Sequence, residues 1–122
     1  VSRPSSLGGM SPSAPTSEQS PVVTSVVSHH PIEPGKVRAA TLVDDDAVRT
    51  VCFAIDAGEG LTEHKAPHRI VITVVAGAME FTVGDETHAM VPGDVVNLAA
   101  SVPHAVAATE PCHFLLTMVK SA

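Results

Sequence analysis

Short apolar runs, broken by polar turns, extend from about residue 32 to the end of the chain. None of these runs repeats apolar residues at i, i+3, i+4 and i+7 over three turns, as an amphipathic helix would. The runs are rich in valine, whose β-branched side chain suits a pleated, half-buried surface. They therefore predict β-strands, at about 36–43, 48–55, 68–76, 78–83, 86–91, 94–98, 102–108 and 113–119.

Sequences typical of turns separate the predicted strands. They include the acidic run Asp44-Asp45-Asp46, the single Gly77, Gly84-Asp85 and Pro92-Gly93-Asp94. Many short strands at this spacing, with no helix between them, predict an all-β domain. Its antiparallel strands are expected to form a sandwich or a barrel.

The first 31 residues differ from the rest and are predicted to form a flexible arm ahead of a domain at residues 32–122. Residues 1–21 are mainly Ser, Pro and Gly with few side chains to bury, and such a segment does not offset its ordering entropy. Val22–Val27 is β-prone but isolated. We expect it either to stay disordered or to add to a sheet edge, in this chain or in a second subunit.

The composition fits one domain with an aliphatic core, since 44% of the 122 residues are hydrophobic and 16% are charged. Seven Lys and Arg against 13 Asp and Glu give a net charge of −6. Nucleic-acid binding requires clustered cations, so this balance argues against it. No apolar run reaches the ~20 residues of a membrane span, and no signal-peptide pattern is found. We expect a cytoplasmic protein with no nucleic-acid or membrane partner, in which Cys52 and Cys112 are reduced thiols.

Two histidines stand in matching surroundings. His64 and His104 lie 40 residues apart, each next to an apolar strand and a glycine-bounded turn. Imidazoles that converge inside a small barrel suit metal ligation or acid–base chemistry. Equally, each ring could be a buried polar group that is hydrogen-bonded to the backbone. If one strand continues after His64 without a bulge, His68 lies on the same face as His64.

The segment around His64 resembles the first motif of the cupin superfamily. That motif is Gly, five residues, His-x-His, three or four residues, Glu, six residues, Gly. Here it runs from Gly58 through His64-Lys65-Ala66 and Ile70 to Gly77, with the spacing preserved. Ala66 stands in place of the second His, and Ile70 in place of the Glu.

The segment around His104 resembles the second cupin motif, which is Gly, five residues, Pro-x-Gly, two residues, His, three residues, Asn. It maps onto Gly93, Ala99-Ala100-Ser101, His104 and Ala108. Again the register holds, while only the glycine and the histidine keep their identities. The resemblance extends over about residues 32–120.

This resemblance implies an antiparallel double-stranded β-helix, also described as a jelly-roll barrel. Cupin metal sites usually use three His and one Glu, of which this chain keeps two. With His68 as a third imidazole, the candidate metal ligands are His64, His68 and His104, and the candidate metals are Zn, Fe and Mn. The resemblance also favours a homodimer, as do Val71 and Val75, which place apolar side chains on a second strand face.

Two functions follow from these features. The first is the binding of a small molecule in the barrel pocket, without chemistry of the protein's own, and the loss of two metal ligands favours it. The alternative is a metal-dependent oxygenase or isomerase that uses His64, His68 and His104, and the retained histidines favour it. The sequence names neither the ligand nor the reaction.

Overall fold

A computed structural model describes residues 21–120 and confirms the predicted all-β fold. Nine strands and one short helix follow in chain order: α1 (Val26–His29), β1 (Val37–Asp44), β2 (Val48–Ile55), β3 (Gly60–His64), β4 (Arg69–Ala76), β5 (Met79–Val83), β6 (Glu86–Met90), β7 (Val95–Leu98), β8 (His104–Ala108) and β9 (Cys112–Val119). No helix in the described part of the chain is long and apolar enough to cross a bilayer.

The strands form two antiparallel sheets. Five of them pair in the order β1-β2-β9-β4-β7, and the other four in the order β3-β8-β5-β6. Consecutive strands repeatedly pass from one sheet to the other, since β3 lies in the smaller sheet, β4 in the larger and β5 in the smaller again. This connectivity produces the double-stranded β-helix that the resemblance implies.

Strand alternation places the core between the two sheets. On β4, Ile70, Ile72 and Val74 are each 1% exposed, whereas the intervening residues are only partly buried. The central strand β9 is at least half covered on both faces over most of its length. The buried apolar cluster contains Ile55, Ile70, Ile72, Val74, Met79, Phe81, Met90, Val106, Ala108, Cys112 and Phe114.

One strand does not continue beyond His64, so the condition under which His64 and His68 would share a face is not met. Strand β3 ends at His64, residues 65–68 cross to the other sheet, and β4 begins at Arg69. Pro67 explains the break, because proline has no N–H for a ladder hydrogen bond and also restricts the residue before it. His64 and His68 therefore do not share a strand face.

Gly77, the last glycine of the first motif, closes the turn between β4 and β5. Its φ of +79° is unfavourable for residues with a side chain, and an added Cβ would lie 1.9 Å from the carbonyl oxygen of Pro111. The turn therefore accepts only glycine at this position, which is also the last glycine position of the first motif.

The residues before β1 pack against the outside of the larger sheet. The β-prone stretch Val22–Val27 forms no strand in this chain, and Val26 instead begins the single helical turn α1. His113 on β9 is 5% exposed, and its Nε2 donates a 2.6 Å hydrogen bond to the carbonyl oxygen of His30. Most of the predicted flexible arm, residues 1–20, lies outside the described residues.

Candidate functional site

A β-bulge turns His64 towards His104. Leu61 pairs with Val106, and His64 pairs with His104. Between these two pairs, β3 advances by three residues while β8 advances by two. The register shift between Leu61 and His64 accommodates the extra residue. Without it, His64 would lie on the opposite face from Leu61, because strand side chains alternate. The bulge therefore brings both histidines to the inner face of the smaller sheet.

The two imidazole rings are in contact, but their surroundings differ. Their centroids lie 4.4 Å apart with planes tilted by 59°. His104 is 2% exposed and stacks on Phe81, with 5.6 Å between ring centroids. His64 is exposed. Of the two, only His104 lies inside the barrel, and His64 lies at its opening.

Backbone carbonyl groups fix the proton position on both rings. Nδ1 of His104 donates to the carbonyl oxygen of Val102 at 2.9 Å, and Nδ1 of His64 donates to that of Thr62 at 2.7 Å. In each neutral imidazole, Nε2 is therefore the nitrogen with a free lone pair. Nε2 of His104 is buried and has no hydrogen-bond partner among residues 21–120.

These rings border a cavity of about 320 Å³. We call it the histidine cavity. Its wall is mainly apolar and comes from the inner face of the larger sheet together with the crossing after β3. The described residues that line it are Ala39, Arg49, Val51, Phe53, His64, Lys65, Ala66, Pro67, His104, Leu116 and Met118. A second space of about 420 Å³ adjoins it at Phe53 and His64 and opens towards Gly60–Thr62.

Arg49 and Lys65 are the charged residues of the histidine cavity, and sequence analysis did not single them out. Arg49 precedes Val51 and Phe53 by two and four positions on β2, so all three share the inward face. This alternation was readable in the sequence. Lys65 follows His64 directly, in the crossing between β3 and β4. None of the described lining residues is acidic.

The turn of the second motif is bonded to the crossing that carries Ala66. The backbone N–H of Ser101 donates to the carbonyl oxygen of Ala66 at 2.8 Å. Ser101 has a φ of +66° and is the only non-glycine residue with positive φ in the described chain. It occupies the glycine position of the second cupin motif, where a positive φ would carry no steric cost for glycine.

The geometry agrees with a family match: residues 51–118 match the family described as the cupin domain. The chain belongs to this family. None of the curated proteins matches the sequence.

Solved structures agree on the fold. A conserved protein of unknown function from Streptococcus pyogenes is 28% identical, with a TM-score of 0.76 over 83% of this chain and 89% of that chain. A cupin superfamily protein from Desulfitobacterium hafniense is 22% identical, with a TM-score of 0.74 over 77% and 86% of the two chains. KdgF from a Halomonas species is 24% identical, with a TM-score of 0.67 over 76% and 87%.

Cupins often hold a divalent metal, and the residues of this cupin do not complete such a site. The position of the family's glutamate is taken by Ile70, a core residue that is 1% exposed. Ala66 is on the cavity wall where the family has a histidine, and His68 does not line the cavity. Within residues 21–120, no three His, Cys, Asp or Glu side chains are grouped to hold a metal. Among the described residues that line the cavity, imidazole nitrogens come only from His64 and His104.

The two thiols of this cupin are separate from the histidine cavity. Cys52 and Cys112 are both free and buried. Burial raises the pKa of Cys112 to about 11, with a further contribution from the Glu110 carboxylate, and burial also raises the pKa of Cys52. Since the thiolate is the nucleophile, neither thiol is poised for chemistry.

Proposed function

We propose that this cupin binds a small organic molecule in the histidine cavity. The observation that carries the proposal is the buried Nε2 of His104, which has no hydrogen-bond partner within residues 21–120 and belongs to a residue of the cavity wall. A buried acceptor without a partner costs about 1–3 kcal/mol, so a ligand group that donates to it would recover that free energy.

The cavity also has the size and lining of a ligand site. At about 320 Å³ it is at the lower end of ligand pockets, which are mostly apolar with a few polar groups that orient the ligand. The Nε2 atoms of His64 and His104 would accept hydrogen bonds from the ligand. Val51, Phe53 and Leu116 would contact its apolar part.

The experiment is a ligand-observed NMR screen of a mixed set of neutral, anionic and cationic small molecules. Ala66→Phe fills the cavity beside both histidines, and Ala57→Phe adds the same ring in an exposed turn as a control. We expect compounds that bind the wild type and the control but not Ala66→Phe. Binding that both phenylalanine variants retain equally would refute the proposal.

The alternative function is a Zn-, Fe- or Mn-dependent oxygenase or isomerase that uses His64, His68 and His104. One observation favours it: metal-ligating histidines commonly donate their second ring nitrogen to a carbonyl oxygen, as His64 and His104 both do. The metal would polarise a substrate oxygen or activate water. Elemental analysis of untagged protein separates the two functions, because the alternative requires about one metal ion per functional site.

We also propose that the protein is a cytoplasmic homodimer. Its buried free thiols suit a reducing compartment. On the outer face of the larger sheet, Val71 and Val75 are only partly covered, and Val95 on the edge strand β7 is 57% exposed. Val22 and Val23 are 94% and 74% exposed. A second copy of the chain would cover this apolar surface.

A further inference from the structure

We infer that the ligand of the histidine cavity is a small organic anion, a carboxylate with an apolar body. This inference rests on the proposed function and specifies its ligand class. It comes from the juxtaposition of Arg49 and Lys65 with the apolar wall and the buried His104.

The first step concerns charge. The protein has a net charge of −6, yet the described residues that line the histidine cavity include two cations and no carboxylate. Neither Arg49 nor Lys65 forms an ion pair with a described residue, whereas Arg38 pairs with Glu33 and Lys120 with Asp44. The side-chain hydrogen bond of Arg49 is a long one, from Nη2 to Oγ1 of Thr41 at 3.4 Å. Lys120 and, more weakly, Arg49 lower the pKa of Asp44, the cross-strand neighbour of Arg49. Arg49 forms no ion pair with Asp44, so its other guanidinium N–H groups can donate to an anion.

Two other cavities in the described chain lack this excess of positive charge. The cavity beside His29 and His30 contains Arg38 together with its partner Glu33. The cleft between β6 and β7, of about 510 Å³, contains Glu86 and Asp94 and no Lys or Arg. The histidine cavity therefore differs from both in its excess of cations.

The second step concerns shape. Along the inward face of β2, the positions change from the charged Arg49 to the apolar Val51 and then Phe53. Four strand residues span about 13 Å, so this face suits an elongated ligand with a charged head and an apolar body. At about 30 Å³ for each water-sized group, a volume of about 320 Å³ holds on the order of ten non-hydrogen atoms. A carboxylate of roughly four to eight carbons fits both estimates.

The third step places the two ends of the ligand. The carboxylate head would lie between the guanidinium of Arg49 and the ammonium of Lys65, and the body would extend over Val51 and Phe53. The ligand's negative charge then stays at the cations of the cavity. A hydroxyl group on the body would donate to Nε2 of His104, as the proposed function requires of the ligand, while the carboxylate stays clear of that lone pair, which would repel it.

The test is isothermal titration calorimetry of the full chain at low ionic strength. The probes are butanoate, hexanoate and octanoate, with hexanamide and hexylammonium as neutral and cationic counterparts of hexanoate and 6-hydroxyhexanoate as its counterpart with a donor for His104. We expect the best carboxylate to bind at least about tenfold more tightly than hexanamide, which corresponds to about 1.4 kcal/mol, and hexylammonium to bind most weakly.

Charge variants locate the site of the anion. Arg49→Gln and Lys65→Gln should each weaken carboxylate binding by about tenfold. Arg49→Lys should lose less carboxylate affinity than Arg49→Gln because lysine keeps the positive charge. Arg69→Gln removes the same charge outside the cavity, where Arg69 bonds Asn97, and should leave binding within about twofold. Circular dichroism would confirm that each variant is folded.

Three results would overturn the inference while the proposed function stands. One is binding of hexanamide as tight as that of hexanoate with both lost in Ala66→Phe, and another is an equal effect of Arg49→Gln and Arg69→Gln. Absence of carboxylate binding at millimolar concentration, while other compounds bind in the cavity, also overturns it. If no compound of any charge is lost in Ala66→Phe, the proposed function fails as well.

Discussion

The imidazole rings of His64 and His104 lie 4.4 Å apart between centroids, and yet His104 is 2% exposed whereas His64 is exposed. They form one cross-strand pair at the end of β3 and the beginning of β8. His104 belongs to the barrel interior and contacts Phe81, while His64 lies at the opening of the histidine cavity. His104 is therefore a buried structural residue, whereas His64 is accessible to solvent.

This difference predicts unequal effects of alanine substitution on stability. His104→Ala removes a buried ring, its stacking on Phe81 and its hydrogen bond to Val102, and should lower the free energy of unfolding by about 2–3 kcal/mol. His64→Ala, at an exposed position, should change it by no more than about 0.5 kcal/mol. Urea denaturation measures both values. Equal losses would contradict the structural distinction between the two histidines.

Ser101 predicts a stabilising substitution. A residue with a side chain at a φ of +66° costs about 1–2 kcal/mol, part of which is offset because glycine loses more entropy on folding. Ser101→Gly should therefore raise the free energy of unfolding by about 0.5–1 kcal/mol. The backbone hydrogen bond to Ala66 is retained in the variant. Ser101→Ala is the control, since it keeps the unfavourable conformation and should give no gain.

Most of the fold could be predicted because strand alternation and turn residues act locally. The predicted strands at 68–76, 86–91 and 113–119 match β4, β6 and β9 to within a residue at each end. The six-residue stretch from Val22 to Val27 could not be predicted in this way. Its β-branched residues favour a strand, but it pairs with no strand of the described chain, and a helical turn begins at Val26.

The candidate site could be predicted only in part. The matching registers around His64 and His104 indicated two related positions, and the structure places their rings in contact. The relation of His68 to them depends on where the chain leaves the smaller sheet, which Pro67 decides. The bulge before His64 is a tertiary feature, and no local signal in the sequence indicates it.

Cys112 predicts a loss of stability at alkaline pH. Burial, with a contribution from Glu110, raises its pKa to about 11 from 9.0. The unfolded thiol then releases its proton at lower pH than the folded one, so the unfolded state binds fewer protons and the free energy of unfolding falls with rising pH. The fall begins near pH 9, ends near pH 11 and amounts to at most about 3 kcal/mol.

Cys112→Ala should reduce the fall of the free energy of unfolding at alkaline pH. The measurement compares urea denaturation of wild type and variant at several pH values between neutral and alkaline. Only the slopes are compared, because the substitution also removes buried volume and lowers stability at every pH. If the free energy of unfolding falls equally with pH in the wild type and in Cys112→Ala, Cys112 is not the cause of the alkaline loss of stability.

The proposed homodimer predicts a variant that dissociates it. Val95 is 57% exposed on the edge strand β7, beside the partly covered residues of β4. Val95→Lys should give the mass of a monomer by light scattering at micromolar concentration, because burying a lysine in an apolar interface is costly. Val43→Lys, at a residue that is 43% exposed on the opposite edge strand β1, is the matched control and should leave the dimer intact. A monomeric wild type would refute the dimer.

The position of Ala66 predicts a variant that gains metal binding. Ala66 lines the cavity with His64 and His104, whose Nε2 lone pairs are free. The wild-type cavity offers two nitrogen donors, whereas three histidines and a water complete a tetrahedral zinc site. Ala66→His should therefore bind zinc at least about tenfold more tightly than the wild type, a difference of about 1.4 kcal/mol.

Zinc titration calorimetry at neutral pH tests this gain. Ala57→His adds an imidazole in an exposed turn and should not raise the affinity, and the double variant Ala66→His with His104→Ala should lose the gain. Zinc binding by Ala66→His should also weaken as pH falls, because only neutral imidazole ligates the metal. If the wild type already binds zinc as tightly as Ala66→His, a third ligand is present without the substitution. The metal-dependent alternative, with His68 as its third histidine, would then replace the binding function proposed for this cupin.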